Sequence, residues 1–475
     1  MAGLRPRHPG APRFAAPAPP ARRAAALRPR HFALALLLTA AGVAGCSRPD
    51  PAGRRLDHIV QAHVAGEQFS GTVLVARGGQ VLLDQGYGLA SREWNIPATP
   101  ETRFRLASVS KQFTAAAVLL LAAHNQLDLQ APLKNYLPDL PASWDGVTTL
   151  QLLNHTSGIP DYIATPDYAA TQALAATPQQ LLARFRERPL DFAPGRGWAY
   201  SNSGYVLLGL LIEKLSGQDY ARFLRQNIFD PLGMKDSGYD SGAGVIPRLA
   251  SGYRLDHGAV VPALYRHPST LYAAGGLYST SRDLLRWNQA LYGERLLPPA
   301  WLKQMVTPDM HQAGLGLMVT PLEDHLVYEH GGGIDGAHTM MSYDPQAQVT
   351  VIVLSNLQDA DVVSLAAELA AVARGETVIL PAERSEVTVP AETLARYAGS
   401  YEFAPGFDIV FTVENGRLMG QATGQQKYPA TPETAAVFVF KVNGAEVEFF
   451  GPLPGPAGSL VLHQNGQYFK ARRKN

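Results

Sequence analysis

Ser108-Val109-Ser110-Lys111 opens a stretch in which apolar residues, Ala117, Leu120 and Leu121 among them, recur at helical spacing as far as His124. Residues three apart on a helix share a face, whereas neighbours do not. Ser108 can therefore meet the Lys111 amine, and Ser110 is poorly placed to do so. A hydroxyl becomes a useful nucleophile when a base takes its proton, and an ammonium cannot be that base. Burial or a nearby positive charge disfavours the charged lysine and lowers its pKa. The start of a helix also supplies backbone N–H groups to an oxyanion forming beside it. The chemistry implied is attack of Ser108 on a carbonyl, with Lys111 as activating base. Taken alone, the tetrapeptide is more often an ordinary helix start than a catalytic site.

Two distant segments add groups of the kind such a reaction needs. Tyr200-Ser201-Asn202 follows Phe192-Ala193-Pro194-Gly195 and precedes a helical pattern from Tyr205 to Leu215. A phenol relays protons, and a carboxamide can accept from a lysine and donate to a substrate carbonyl. His330-Gly331-Gly332-Gly333 follows Leu326-Val327-Tyr328. A glycine run admits a substrate backbone closely and leaves main-chain N–H groups for an oxyanion. Each has a plainer reading: Tyr200 as a buried aromatic, Asn202 as a helix cap, His330 as a loop histidine, the glycines as a turn. His155 reads as structural, holding its turn. His325, Glu329 and His330 miss the H-x-x-E-H spacing of a zinc site, and there is no H-E-x-x-H, P-loop, dinucleotide fingerprint or G-x-S-x-G elbow. Neither a metal nor an organic cofactor is expected.

The elements that must hold these groups follow from pattern. Gly71–Ala76 and Val81–Leu83 are β-rich runs split by Arg77-Gly78-Gly79-Gln80, a hairpin signal. The helix through Tyr205–Leu215 is closed by Gly217, Val349–Leu354 reads as an apolar strand, and Val362–Ala373 as a helix ended by Gly375. Strands at both ends with helices between and after them predict an α+β body whose antiparallel sheet pairs its first and last strands. Residues 376–392, with Pro381 and Pro390, suit a linker. Beyond them Asn415-Gly416, Asn443-Gly444 and Asn465-Gly466 each lie between β-patterned runs. Asn-Gly is a strong hairpin signal, so residues 393–475 are expected to form an antiparallel meander closed as a small β-barrel.

The 475 residues are 46% hydrophobic and 17% charged, enough for a large core and too many for one ordinary domain. The net charge of +1 conceals an asymmetry. Residues 1–45 carry seven Arg and no acid, leaving 34 basic against 40 acidic residues in the remainder. That mildly acidic body gives no electrostatic reason to bind nucleic acid. Arg22, Arg23, Arg28 and Arg30 precede the apolar stretch Phe32–Ala44, whose thirteen residues fall short of the roughly 20 a membrane-spanning helix needs and fit a signal peptide. Val43-Ala44-Gly45-Cys46 resembles a bacterial lipobox, in which the cysteine is lipidated; the alternative is an ordinary signal cut near Ala44. Cys46 is the only cysteine, so the body has no disulfide to lean on. Residues 1–46 are thus expected to be a leader and lipoprotein signal. The mature chain would be anchored on the periplasmic side of the envelope, and Ser47 points to the outer membrane where there is one.

The order Ser-x-x-Lys, Tyr-x-Asn, His-x-Gly resembles the class C β-lactamase and D,D-peptidase group of penicillin-recognising serine hydrolases. The flanks do so too: Phe104-Arg105-Leu106-Ala107, Leu153-Asn154-His155-Thr156-Ser157-Gly158, Pro231-Leu232-Gly233-Met234, Ala274-Gly275-Gly276-Leu277-Tyr278-Ser279-Thr280 and Leu354-Ser355-Asn356. The resemblance spans about 60–375 of a hydrolase domain set at 47–375. It implies an α/β sandwich around an antiparallel sheet, with the site between the all-helical part and the sheet. It implies an acyl-enzyme on Ser108 and oxyanion donors from the Ser108 and Gly333 amides. Tyr200 and Lys111 would share proton transfer, with the acylation base undecided between them. Asn202, His330, Gly332 and Gly333 would bind substrate, His330 as a polar or positive group beside Tyr200. Many members carry a Thr hydroxyl, which grips a substrate carboxylate, where this chain has Gly331; that shifts weight from β-lactams towards esters and D-amino-acid peptides. The terminal barrel resembles the lipocalin-like domain appended to some of these hydrolases. The expected partners are a small peptide or ester substrate and, through the lipid, the membrane. A penicillin-binding sensor or pseudoenzyme that binds without turnover is the alternative.

Overall fold

The computed structural model describes residues 51–474 apart from 381, 382, 384, 385, 443, 453, 465 and 466. Cys46 and the leader, the Asn465-Gly466 turn and Asn443 lie outside the described residues. Among the described residues no helix is long and apolar enough to cross a membrane.

The body is built on a six-stranded antiparallel sheet. Its strands are β1 (Gly71–Arg77), β2 (Gln80–Tyr87), β3 (Met318–Leu322), β4 (His325–Ile334), β5 (Ala337–Asp344) and β6 (Val349–Ser355), ordered β3-β4-β5-β6-β1-β2. The first strand pairs with the last in unbroken register, from Gly71 opposite Ser355 to Arg77 opposite Val349. The expected closure of the sheet is what the chain does. Gly78 and Gly79, both at positive φ, make the β1–β2 turn.

The β6 sequence is apolar apart from Thr350 and Ser355, because both of its faces are covered. Ile352 and Leu354 face the helical part, together with Leu74 and Ala76 of β1. Val349, Val351 and Val353 face the opposite layer, with Val73 and Val75. That second layer is α1 (Pro51–Ala65) and α4 (Val362–Arg374), which contribute Leu56, Ile59, Leu365 and Leu369. The first is the helical part, centred on α2 (Ser110–Ala123) and α3 (Asn202–Ser216). Almost all of α2 is buried, which explains an apolar pattern that runs round the helix instead of along one stripe. Gly217 and Gly375 end α3 and α4 in the left-handed conformation.

After α5 (Ala391–Tyr397), eight antiparallel strands close a barrel: β7 (Gly399–Ala404), β8 (Phe407–Glu414), β9 (Arg417–Ala422), β10 (Lys427–Pro432), β11 (Val437–Val439), β12 (Glu446–Phe450), β13 (Ser459–Gln464) and β14 (Gln467–Arg473). Tyr401 and Glu402 pair with Arg473 and Arg472 to complete it. Asn415 and Gly416 both take positive φ in the β8–β9 turn, as the Asn-Gly signal requires.

Candidate active site

Ser108 sits in a single 3-10 turn, Ala107–Val109, that leads directly into α2. The backbone before it is strained: Ala107 takes φ +47°, a conformation that costs a non-glycine residue about 1–3 kcal/mol and persists where the surroundings enforce it. They do so on both sides. The Leu106 N–H donates to Leu277 O at 2.8 Å, and Leu106 O accepts from Thr339 Oγ1 of β5 at 2.9 Å. Ser110 Oγ, turned away from the lysine, accepts from the Leu277 N–H at 3.2 Å. The nucleophile turn is thereby clamped between the helical part and the sheet.

Lys111 lies one turn along and is fully buried. Its Nζ is 3.1 Å from Ser108 Oγ, 2.8 Å from Asn202 Oδ1 and 2.7 Å from Ala274 O. The Tyr200 and Tyr205 ring centroids are 4.8 and 5.2 Å from Nζ. Burial drives the lysine pKa down to about 7, against the opposing pull of Asp161. Near neutral pH much of this amine is uncharged. A neutral amine has two N–H donors and one lone pair. Asn202 Oδ1 and Ala274 O can only accept and take both donors, which leaves the lone pair for the Ser108 hydroxyl.

The Asn202 orientation is fixed from behind. Its Nδ2 donates to Asp161 Oδ2 at 2.9 Å, so that Oδ1 must face the lysine. Asp161 was not among the residues singled out from sequence; it stands three residues past Gly158, the end of the Leu153–Gly158 flank, and a carboxylate just past a glycine turn was the available signal. Burial raises its pKa, while Asn202, the Ile163 N–H and Lys111 oppose the rise. Ala274 was likewise missed as a group in its own right, because a carbonyl carries no side-chain signature. Asn202 is the first residue of α3 and not its cap: Ser201 Oγ caps the helix, accepting from the Gly204 N–H at 3.2 Å.

Burial pushes the Tyr200 phenol well above the usual tyrosine value, against an opposing pull from Ser108. It stays protonated at ordinary pH. His155, at φ +64°, stacks on it with centroids 4.5 Å apart. The His155 Nδ1 accepts from the Ser201 N–H at 3.1 Å, the turn-holding role expected of it.

His330 and the glycines lie inside β4, neither a loop nor a turn: Gly331, Gly332 and Gly333 pair with Met340, Thr339 and His338. Burial and the lysine hold His330 down at about 4, so it is a neutral ring 6.4 Å from that of Tyr200. The positive group allowed for in sequence is replaced by a polar one. Its Nδ1 is 2.6 Å from Gly331 O, which only accepts, so Nδ1 carries the hydrogen. A Cβ on Gly332 would collide with Leu106 O and lie 2.6 Å from Thr339 Oγ1 and 3.0 Å from Ser108 N, whereas Gly333 borders open space. Gly332 thus lets the strand lie against the nucleophile turn, and Gly333 faces outward beside it.

The structure gathers Ser108, Lys111, Tyr200, Asn202 and His330 from three distant segments into one site. The beta-lactamase family profile matches residues 56–376. Penicillin-binding protein 4* of Bacillus subtilis (strain 168) is 31% identical over 86% of this chain and 95% of its own length. Esterase EstB of Burkholderia gladioli is 33% identical over 55% of this chain and 75% of its own. Among solved structures, the D-amino acid amidase of Ochrobactrum anthropi SV3 superposes with a TM-score of 0.58 at 28% identity, covering 65% of this chain and 92% of that one. Motif order, site geometry and these likenesses agree that the chain belongs to the beta-lactamase family.

Proposed function

We propose that the chain is an exported serine hydrolase that opens small esters or amides, D-amino-acid and cell-wall peptides included, through an acyl-enzyme on Ser108. The observation that carries this reading is the bonding of Lys111 Nζ, whose two N–H groups are taken by obligate acceptors beside the serine. The lone pair accepts the Ser108 proton as Oγ bonds to the substrate carbonyl carbon. The carbonyl oxygen becomes an oxyanion that the Ser108 and Gly333 amides are placed by family analogy to bind. The bond to the leaving group then breaks, and that group takes a proton from the Tyr200 hydroxyl, which recovers one from Lys111. Water repeats the sequence on the acyl-enzyme, giving its proton to Lys111 and releasing the acid.

Gly331 offers no hydroxyl to a substrate carboxylate, which supports esters and D-aminoacyl amides over β-lactams; relatives named as an esterase and a D-amino acid amidase support the same choice. The Arg-rich leader, its apolar stretch and Val43-Ala44-Gly45-Cys46 support export and lipid anchoring at the envelope. The test is a substrate panel on the wild type and Ser108→Ala: p-nitrophenyl esters, D-alanyl p-nitroanilide, muropeptides and a chromogenic cephalosporin. Steady turnover of the first two, abolished in the variant, is expected. Stoichiometric labelling of Ser108 without turnover would instead make the chain a binder or sensor.

A further inference from the structure

Within the terminal barrel alternate residues point inward, as the pleat requires, and the two ends of its interior differ. At one end Tyr401, Phe411, Phe438 and Phe449 are buried together, and Tyr397 of α5 stacks on Phe449 with centroids 4.4 Å apart. That end is plugged. At the other, the inward positions of β9 are Gly420 and Ala422, and a recess of about 400 Å³ opens between them and Ile409, Tyr428, Phe440 and Leu462. Eight strands make a barrel just wide enough to be filled by side chains or to hold one small ligand. Here the side chains leave a recess at one end.

We propose that this recess binds one uncharged, single-chain amphiphile, its hydrocarbon inside the barrel and its polar head at the mouth. Apolar walls around an unfilled recess forfeit packing contacts, and a hydrocarbon chain restores them. The rim is apolar as well: Phe407, Val442 and Phe469 line the recess and are 38%, 57% and 43% exposed. No charged side chain is among the described residues that line it, so an ionic head drawn inside would lose hydration without a partner. Gln425, Gln426 and Gln464 stand with the rim residues, and their carboxamides both donate and accept, which suits a hydroxyl or ester head. The recess is lined by barrel residues alone, so this assignment is independent of the hydrolase reading.

The full-length chain is titrated with the neutral fluorophore N-phenyl-1-naphthylamine, followed by displacement with monodecanoylglycerol or decanoate. Saturation at one probe per chain is expected, with monodecanoylglycerol displacing it at concentrations about tenfold lower than decanoate does. Ala422→Phe and Leu462→Trp, on different strands, fill the recess; each is expected to weaken probe binding about tenfold or more without lowering Tm. The second variant stands in if the first fails to fold. Absence of saturation in the wild type, unchanged binding in a folded filled variant, or equal displacement by decanoate overturns the proposal.

Discussion

The chemistry at Lys111 turns on its charge, and the groups around it fix how that charge responds to pH. Facing Nζ are Asp161 behind Asn202, the phenols of Tyr200 and Tyr205, and the rings of His155 and His330, both of which stay neutral at ordinary pH because burial and the lysine depress them. The lysine itself titrates at about 7. Since its neutral form is the base, kcat/KM for an ester is expected to rise with pH through about 7 and then level off. The Asp161 charge favours the ammonium, so Asp161→Asn lowers the lysine pKa further and moves this acid limb to lower pH. The same substitution lets residue 161 donate as well as accept, which frees the Asn202 amide to flip, and the plateau is expected to fall about tenfold, equivalent to about 1.4 kcal/mol of barrier. A pH–rate profile of both proteins decides the matter. An unmoved limb in Asp161→Asn would mean that the carboxylate only packs. Ser108 and Lys111 were legible from sequence because i, i+3 geometry is local; Asp161 and the Ala274 carbonyl were not, because their place depends on three segments meeting.

At the scale of elements, the site exists because backbones approach more closely than side chains would allow. Gly209 of α3 faces the turn that carries Ala274: a Cβ there would lie 2.6 Å from Ala273 Cβ. Gly332 does the same between β4 and the Ser108 turn. The adjacent Gly331 makes a clean comparison, since a Cβ on it meets only ordinary contacts, 3.7 Å to Met340 Sδ and 3.8 Å to Thr339 O. Gly331→Ala is expected to keep kcat/KM within about threefold of wild type, whereas Gly332→Ala pushes Leu106 and Ser108 out of place and loses about a hundredfold, most of it in kcat. Steady-state kinetics on a p-nitrophenyl ester separates the two, and similar losses at both positions would sink the packing argument. The glycine run was visible in sequence as a close-approach signal. Its strand character was not, because three glycines read as a turn until β5 supplies the pairing that keeps them extended. The β1–β6 pairing was readable, since Val351–Leu354, apolar at four successive positions, must be covered on both faces.

At the scale of the whole molecule, burial among the described residues divides into three clusters that share no residue. One joins the helical part to the near face of the sheet, one joins α1 and α4 to its far face, and the third is confined to residues 394–471 and the flanking Val389. The first two meet across β1 and β6, where alternate residues of the same strand belong to opposite layers, so neither can melt while the other stays folded. The barrel core has no such shared strand. Unfolding is cooperative where packing is continuous and separates where it is not. Calorimetry is therefore expected to resolve two transitions, the larger one for the two-layered body. A ligand that binds only the folded barrel stabilises it by mass action and should raise the smaller transition alone. A covalent acyl group on Ser108 should move only the larger. A single transition that responds to both would overturn this division and place the barrel and the body in one cooperative unit.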